Sequence, residues 1–163
     1  MRRLLLVVAA TGLMLAVLAP VVAGDGGNKF KASLNGYLET PSVSTAATGS
    51  FHLKIHSTWM EYSLSYKNLT GPAAVAHIHF GRPDVAGGVA VFLCGGGGKP
   101  ACPASGTVTG TIVAADVIGP AGQGITAGEF AEVVRAIRHG ATYANVHTAL
   151  FGGGEIRGNI TRD

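Results

Sequence analysis

Hydrophobic and polar residues alternate along several short segments between residues 29 and 113. In the first of them, Phe30, Ala32 and Leu34 fall on one side of residues 29–35, a two-residue spacing that is typical of a β-strand with one buried face. Similar patterns predict further strands over residues 49–56, 59–69, 75–80, 89–94 and 106–113. Glycine, proline, serine and threonine residues separate these segments, as expected for short strands joined by tight turns.

The spacing of apolar residues becomes helical late in the chain. One helical face is formed by an apolar stripe of Phe130, Val133, Val134 and Ile137. Thr126 followed by Glu129 is a capping-box signature for a helix start, and Gly140 is suited to end a helix. The pattern therefore predicts one helix over residues 126–139.

The end of the chain returns to strand patterns, over residues 141–148 and 155–160, on either side of the glycine-rich residues 151–154. These two segments predict a closing β-hairpin. The seven to eight strands counted along the chain predict an all-β fold, a sandwich or Greek-key barrel with one short helix. The core is expected to contain Phe51, Leu53, Tyr62, Leu64, Val91 and Val146.

The first 23 residues have the layout of a secretory signal. Arg2 and Arg3 precede an apolar run over residues 4–18, and the segment ends in the small residue Ala23. The run is shorter than the roughly 20 residues of a membrane span, so we expect cleavage after Ala23 and a secreted or periplasmic protein. Residues 24–28 then form a flexible lead-in, and residues 29–163 form the domain. The alternative is a retained N-terminal membrane anchor.

Removal of the predicted signal changes the charge balance. The chain has 12 Lys and Arg residues against 9 Asp and Glu, and loss of Arg2 and Arg3 lowers the basic count to 10, so the net charge falls from +3 to about +1. The sequence has no basic stripe, which argues against a nucleic-acid partner. A length of about 140 residues after cleavage suits one domain with one hydrophobic core.

The two cysteines, Cys94 and Cys102, lie close together in the part of the chain predicted to be exported. An oxidising compartment favours a disulfide between them. Glycines 95–98 let the intervening chain curl back. The alternative is a metal-binding or redox pair, but seven intervening residues match neither C-x-x-C chemistry nor the usual zinc spacing.

Three histidines form a candidate metal site. His77 and His79 are two residues apart on a predicted strand, so their imidazoles project from the same face. If the closing hairpin lies beside that strand, His147 supplies a third imidazole. Three imidazoles suit copper or zinc, and copper is the candidate cofactor. The alternative is a structural role, in which the rings only satisfy nearby hydrogen bonds.

Four polar residues are candidates to hold the rings in place. Metal-bound histidines usually donate their second ring N–H to a carboxylate, an amide or a carbonyl. The candidates for this supporting role are Glu39, Asn145, Glu155 and Arg157. Glu39 also has an alternative use, as a structural ion-pair partner of Arg157 or Arg82.

The sequence carries no recognisable enzyme motif. It contains no Gly-x-Ser-x-Gly nucleophile elbow, and residues 95–98 lack the Lys-Ser/Thr ending of a phosphate-binding loop. No catalytic residue is therefore assigned. The leading hypothesis is a secreted module with a structural or binding role, and the second is an extracytoplasmic copper-binding protein.

Three segments together resemble the CHRD domain, a family named after the chordin proteins. They are Leu-Asn-Gly-Tyr-Leu-Glu-Thr-Pro at 34–41, Ala-His-Ile-His-Phe-Gly at 76–81, and Tyr-Ala-Asn-Val-His at 143–147 followed by Gly-Glu-Ile-Arg-Gly at 154–158. The resemblance covers residues 29–161. It implies an extracellular module with an immunoglobulin-like β-barrel fold. The resemblance implies no particular biochemical role, so the expected partner, a protein or a surface, stays unidentified.

A fainter resemblance concerns the histidines. His77-Ile-His79 is similar to the copper-binding strand of the copper/zinc superoxide dismutases, and His147 with Arg157 is similar to that family's late histidine and active-site arginine. The chain departs from the dismutase pattern, because His139 is the only histidine between His79 and His147 and no zinc loop is present. Dismutase-like activity is therefore the third hypothesis.

Overall fold

The computed structural model describes residues 25–163, so the predicted signal segment lies outside the described residues. Within this range the chain forms nine β-strands and one α-helix, which confirms the all-β prediction with one short helix. In chain order they are β1 (Lys29–Asn35), β2 (Thr48–Ile55), β3 (Trp59–Lys67), β4 (Ala73–Phe80), β5 (Gly88–Cys94), β6 (Gly106–Val113), α1 (Phe130–Arg138), β7 (Thr142–Thr148), β8 (Ile156–Asn159) and β9 (Thr161–Arg162).

The strands form one continuous sheet in the order β5-β4-β7-β8-β1-β2-β3-β6, with β9 added beside β1. The described strand pairs are antiparallel. The two ends of the sheet approach each other, since the Tyr62 hydroxyl on β3, the strand next to the end strand β6, donates a hydrogen bond to the Leu93 carbonyl on the other end strand β5 at 2.6 Å. The sheet is therefore a nearly closed barrel, and β7 lies directly beside β4.

The six predicted core residues are buried, each with at most 5 % of its surface exposed. Alternation places them on the inner face of the sheet, as Phe30, Ala32 and Leu34 on β1 also show. Burial of one such large apolar side chain contributes roughly 1.5–3 kcal/mol to stability. The fold is therefore held by apolar contacts on one face of the sheet, which leaves the other face available for polar groups.

The helix is shorter than its sequence pattern predicts. The predicted start at Thr126 is wrong, because Gly128 adopts a left-handed backbone with φ of 87°, and α1 begins only at Phe130. The Thr126 N–H still donates to a carboxylate oxygen of Glu129 at 2.6 Å, so part of the predicted capping contact is present. Within residues 25–163 no helix has the length and apolar character needed to cross a membrane.

Several element boundaries also differ from the predicted ones. β3 ends at Lys67 rather than at residue 69, because Asn68 is in the left-handed region with φ of 59°. The closing hairpin is followed by the unpredicted strand β9, which pairs with β1. The residues predicted as a flexible lead-in form a short 3₁₀ helix over Asp25–Asn28.

The predicted disulfide is confirmed, since Cys94 and Cys102 are bonded to each other with their Cα atoms 5.0 Å apart. The glycine-rich loop that this bond closes packs on Phe92 of β5. A Cβ atom would lie 2.5 Å from the Phe92 ring at Gly96 and 2.7 Å from it at Gly97, so side chains there would clash with the ring. The loop therefore fits closely against Phe92.

Candidate metal centre

Two neighbouring strands bring the three predicted histidines together. β4 and β7 are antiparallel, with His77 opposite Asn145 and Val75 opposite His147. His77 and His79 on β4 therefore share a face with Asn145 and His147 on β7. The residues between them in sequence point to the hydrophobic core, among them Ile78, Ala144 and Val146. The histidine cluster, defined as His77, His79 and His147, thus lies on the face of the sheet opposite the core.

The three rings converge on one point. His77 Nδ1 lies 3.0 Å from His147 Nε2, and one nitrogen from each ring lies within 4.8 Å of the others. Ligand atoms of a tetrahedral zinc ion, with bonds of about 2.0–2.1 Å, lie about 3.3 Å apart. The His77 and His147 nitrogens are already at about this distance, so only the longer separations, of up to 4.8 Å, would have to shorten on metal binding. Each histidine is 7 % exposed, so the cluster is shielded from solvent.

Backbone carbonyls fix which nitrogen of two rings carries the proton. Nδ1–H of His79 donates to the Gly87 carbonyl at 2.9 Å, and Nδ1–H of His147 donates to the Gly152 carbonyl at 3.0 Å. A neutral ring that donates from Nδ1 has a free lone pair on Nε2. Both Nε2 atoms are therefore available as ligands, and Nε2 of His79 is buried without a hydrogen-bond partner among the described residues.

Burial keeps the three rings uncharged at neutral pH. Burial, with smaller effects from His147 and His79, lowers the pKa of His77 to about 3. Burial also lowers the pKa of His79 to about 4, against a hydrogen bond to Gly87 that raises it. The pKa of His147 is lowered by the same cause. Neutral imidazoles are the form that binds metal ions.

A layered stack holds His79 from one side. The Tyr143 ring lies parallel to His79 with centroids 4.7 Å apart, and the Arg157 guanidinium lies 3.4 Å above the Tyr143 ring. Arg157 is in turn fixed by carbonyls of the loop that follows β4, since it donates to Arg82 and Val85 at 3.0 Å each. Stacking of a guanidinium on an aromatic ring is favourable, so Arg157 and Tyr143 orient the ring of His79.

Sequence reasoning missed Tyr143 and Phe92 as parts of this site. Tyr143 precedes Asn145 and His147 by two and four residues on β7, so its position on the same face could have been inferred from the strand period. Phe92 contacts His77 edge to face, with centroids 4.5 Å apart. Its role depends on the pairing of β5 with β4, which no local pattern in the sequence signals.

Glu39 and Asn145 lie beside the cluster. Asn145 Oδ1 is 3.0 Å from His147 Nε2. Burial raises the pKa of Glu39 to about 6, while a hydrogen bond from Asn145 and the charge of Arg157 act to lower it. Arg157 directs its hydrogen bonds to other oxygens, including the Thr40 hydroxyl at 3.3 Å, so it acts on Glu39 through its charge.

Glu155 has a different environment from the other supporting candidates. Its carboxylate accepts hydrogen bonds from the hydroxyls of Thr45, Thr70 and Thr148 and from the backbone N–H of Thr70, at 2.8–2.9 Å. Burial raises the pKa of Glu155, but these hydrogen bonds outweigh burial and leave the pKa below its ordinary value. Glu155 therefore ties three segments of the chain together through threonines, whereas Asn145 points to the histidines.

Fold and site together define a small antiparallel β-barrel module that carries a histidine cluster outside its hydrophobic core. The family model of the CHRD domain matches residues 30–160, which is most of the chain. The chain therefore belongs to the CHRD domain family, as its three sequence motifs predict. No curated protein and no solved structure shows significant similarity to it.

Proposed function

We propose that this CHRD domain binds one copper ion between His77, His79 and His147. The observation that carries the proposal is the buried Nε2 of His79, which has no hydrogen-bond partner among the described residues, in a ring that offers one nitrogen within 4.8 Å of a nitrogen of each of the other two histidines. Imidazole nitrogens suit both copper and zinc, and a given set of ligands binds Cu²⁺ more tightly than Zn²⁺. Copper is therefore the proposed ion and zinc is its nearest competitor.

A purely structural role for the histidines explains less of this arrangement. Nδ1–H of His77 can donate to Nε2 of His147, which satisfies one lone pair. The lone pair of His79 then stays buried and unused, at a cost of about 1–3 kcal/mol. A bound cation would use both Nε2 lone pairs at once, so metal binding accounts for the arrangement with fewer unsatisfied groups.

We also propose that the protein works outside the cytoplasm, either secreted or in a periplasm. The Cys94–Cys102 disulfide supports this, since such bonds persist in oxidising compartments. The signal pattern of residues 1–23 points in the same direction. N-terminal sequencing of the exported protein should begin at Gly24, and an intact Met1 would contradict cleavage. Binding to a protein or surface partner of unknown identity stays a prediction from the family resemblance.

Metal binding is tested on the exported protein after removal of metal by a chelator. We expect wild type to take up one equivalent of copper, measured by elemental analysis and by competition with a copper chelator of known affinity. His79→Ala should lose tight binding because it removes one of three ligands, while thermal unfolding stays cooperative. The matched control is His52→Ala, since His52 is exposed on β2.

Two outcomes would count against the proposal. Copper uptake by wild type no greater than that of His79→Ala would exclude the histidine cluster as the site. Equal loss in His52→Ala would show that binding is a surface effect of histidines in general. Superoxide turnover by the copper-loaded protein is the separate measurement that tests the dismutase-like alternative.

A further inference from the structure

Asn145 has the position of a ligand. It lies opposite His77 across the β4–β7 ladder and two residues before His147, so its side chain projects from the same face as the cluster. The side chain is 2 % exposed, and its Oδ1 lies 3.0 Å from His147 Nε2. That separation equals the one between His77 Nδ1 and His147 Nε2.

The contact between Asn145 and His147 joins two acceptors. His147 uses its Nδ1–H on the Gly152 carbonyl, so Nε2 of the neutral ring carries only a lone pair. Asn145 Oδ1 is also an acceptor, and two acceptors at 3.0 Å repel each other unless a positive centre lies near both. A metal ion bound to both atoms removes this repulsion.

The opposite orientation of the Asn145 amide would place Nδ2 toward His147, and Glu39 disfavours it. A Cβ atom at Gly154 would lie 2.5 Å from Glu39 Oε1 and 2.7 Å from Asn145 Nδ2, so the amide nitrogen is on the Glu39 side. A carboxylate only accepts hydrogen bonds, and the amide nitrogen of Asn145, on this side, lowers the pKa of Glu39. Reversal of the amide would turn Oδ1 against the carboxylate.

We propose that Asn145 Oδ1 is the fourth ligand of the metal ion and that Glu39 is a positioning residue that fixes the Asn145 amide. This inference rests on the metal binding proposed above. The site would then hold its ion with three nitrogens and one oxygen, all from the protein. Sites with four protein ligands are closed and hold metal, whereas catalytic zinc sites keep one position open for water or substrate. The arrangement therefore favours metal retention over catalysis.

Substitution of Co²⁺ for copper gives a direct readout of ligand number, because four-coordinate Co²⁺ absorbs visible light much more strongly than five- or six-coordinate Co²⁺. Wild type loaded with Co²⁺ should show the strong four-coordinate spectrum. Asn145→Ala should bind Co²⁺ at least about tenfold more weakly and show shifted bands as water replaces the amide oxygen, with lower intensity where a second water raises the coordination number. Asn28→Ala, which changes an asparagine that accepts from Arg138, is the control and should match wild type.

Two further variants keep the test decisive. Asn145→Asp retains an oxygen ligand, so it should retain one equivalent of Co²⁺ with shifted bands. It is the test variant if Asn145→Ala does not fold. Glu39→Gln should weaken binding less than Asn145→Ala, with a mixed spectrum, because the amide of Asn145 is no longer fixed.

Unchanged affinity and unchanged bands in Asn145→Ala, or unchanged bands in Asn145→Asp, would overturn the assignment of Asn145 while wild-type metal binding still stands. A wild-type protein that takes up no metal would instead overturn the proposed function, and the inference would fall with it.

Discussion

Each histidine of the cluster is held by a different kind of contact. His77 meets the edge of Phe92, His79 stacks on Tyr143, and His147 donates to the Gly152 carbonyl. Residues whose orientation is fixed before a ligand arrives lose little entropy on binding. The cluster is therefore preorganised through three independent supports, and loss of one support should loosen one ring while the other two stay in place.

Glycine at position 154 is required by its neighbours. The residue has φ of 129°, where L side chains are strained, and a Cβ atom would lie 2.5 Å from Glu39 Oε1. Gly154→Ala should therefore destabilise the protein by about 1–3 kcal/mol and push Glu39 away from Asn145. Urea unfolding measures the first effect, and the Co²⁺ spectrum measures the second.

Gly153→Ala is the matched control for this substitution. A Cβ atom at Gly153 meets nothing within 4 Å, so its unfolding midpoint should equal that of wild type within error. An equal loss of stability in both variants would mean that the turn as a whole disfavours alanine and that Glu39 is not the cause.

The elements of the fold were largely predictable, and the supports of the site were not. Strand period is sufficient to place His77 and His79 on one face of a strand and His147 on a second strand. That the two strands are neighbours was a condition of the metal-site prediction, since pairing between distant segments has no local signal, and the structure supplies it. The carbonyls of Gly87 and Gly152 belong to loops, whose paths depend on contacts between distant segments. The start of α1 was mispredicted for a related reason, because the backbone of Gly128 overrides the capping signature at Thr126.

The glycine-rich loop is linked to His77 through Phe92 of β5. The disulfide holds the loop, the loop packs on Phe92, and Phe92 contacts His77. Replacement of both Cys94 and Cys102 by serine should lower stability by roughly 2–3 kcal/mol, because the unfolded chain is no longer constrained. It should also speed the transfer of the proposed copper ion to a chelator, since Phe92 loses its support.

Chelator kinetics followed by absorbance test the second effect. Copper stoichiometry should stay at one, because neither cysteine belongs to the histidine cluster. A transfer rate equal to that of wild type would show that the loop does not limit access to the metal. Phe92→Ala with the disulfide intact should accelerate copper transfer in the same way. This variant distinguishes the effect of the Phe92 ring from the effect of the disulfide.

The stability of the whole metal-free molecule should depend on the buried histidines. Their pKa values, about 3 for His77 and about 4 for His79, lie below the ordinary value of 6.5. Between the folded and the unfolded pKa values, the histidines of the unfolded chain bind protons that those of the folded chain do not. Their contribution to the free energy of unfolding is therefore fully present above pH 6.5 and is lost as pH falls toward 4. Glu39 acts oppositely, because its raised pKa of about 6 favours folding at low pH.

Two histidines outweigh one carboxyl, so we expect the free energy of unfolding to fall by an amount on the order of 3 kcal/mol between pH 7 and pH 4.5. Urea unfolding of chelated protein at both pH values measures this change. His79→Phe retains a ring against Tyr143 and removes one titrating group, so its dependence on pH should be weaker. Equal dependence in wild type and variant would exclude His79 as a source of the effect.

The pairing of β9 with β1 sets how the molecule responds to a pulling force. Phe30 lies opposite Arg162 and Lys31 opposite Thr161 in an antiparallel ladder, so both ends of the domain emerge side by side. Tension applied through the two ends separates this ladder one rung at a time, and a strand of two residues yields at low load. β8 precedes β9 directly in the chain and pairs with β7, so load from the C-terminal end reaches the strands of the histidine cluster only after this short ladder has opened.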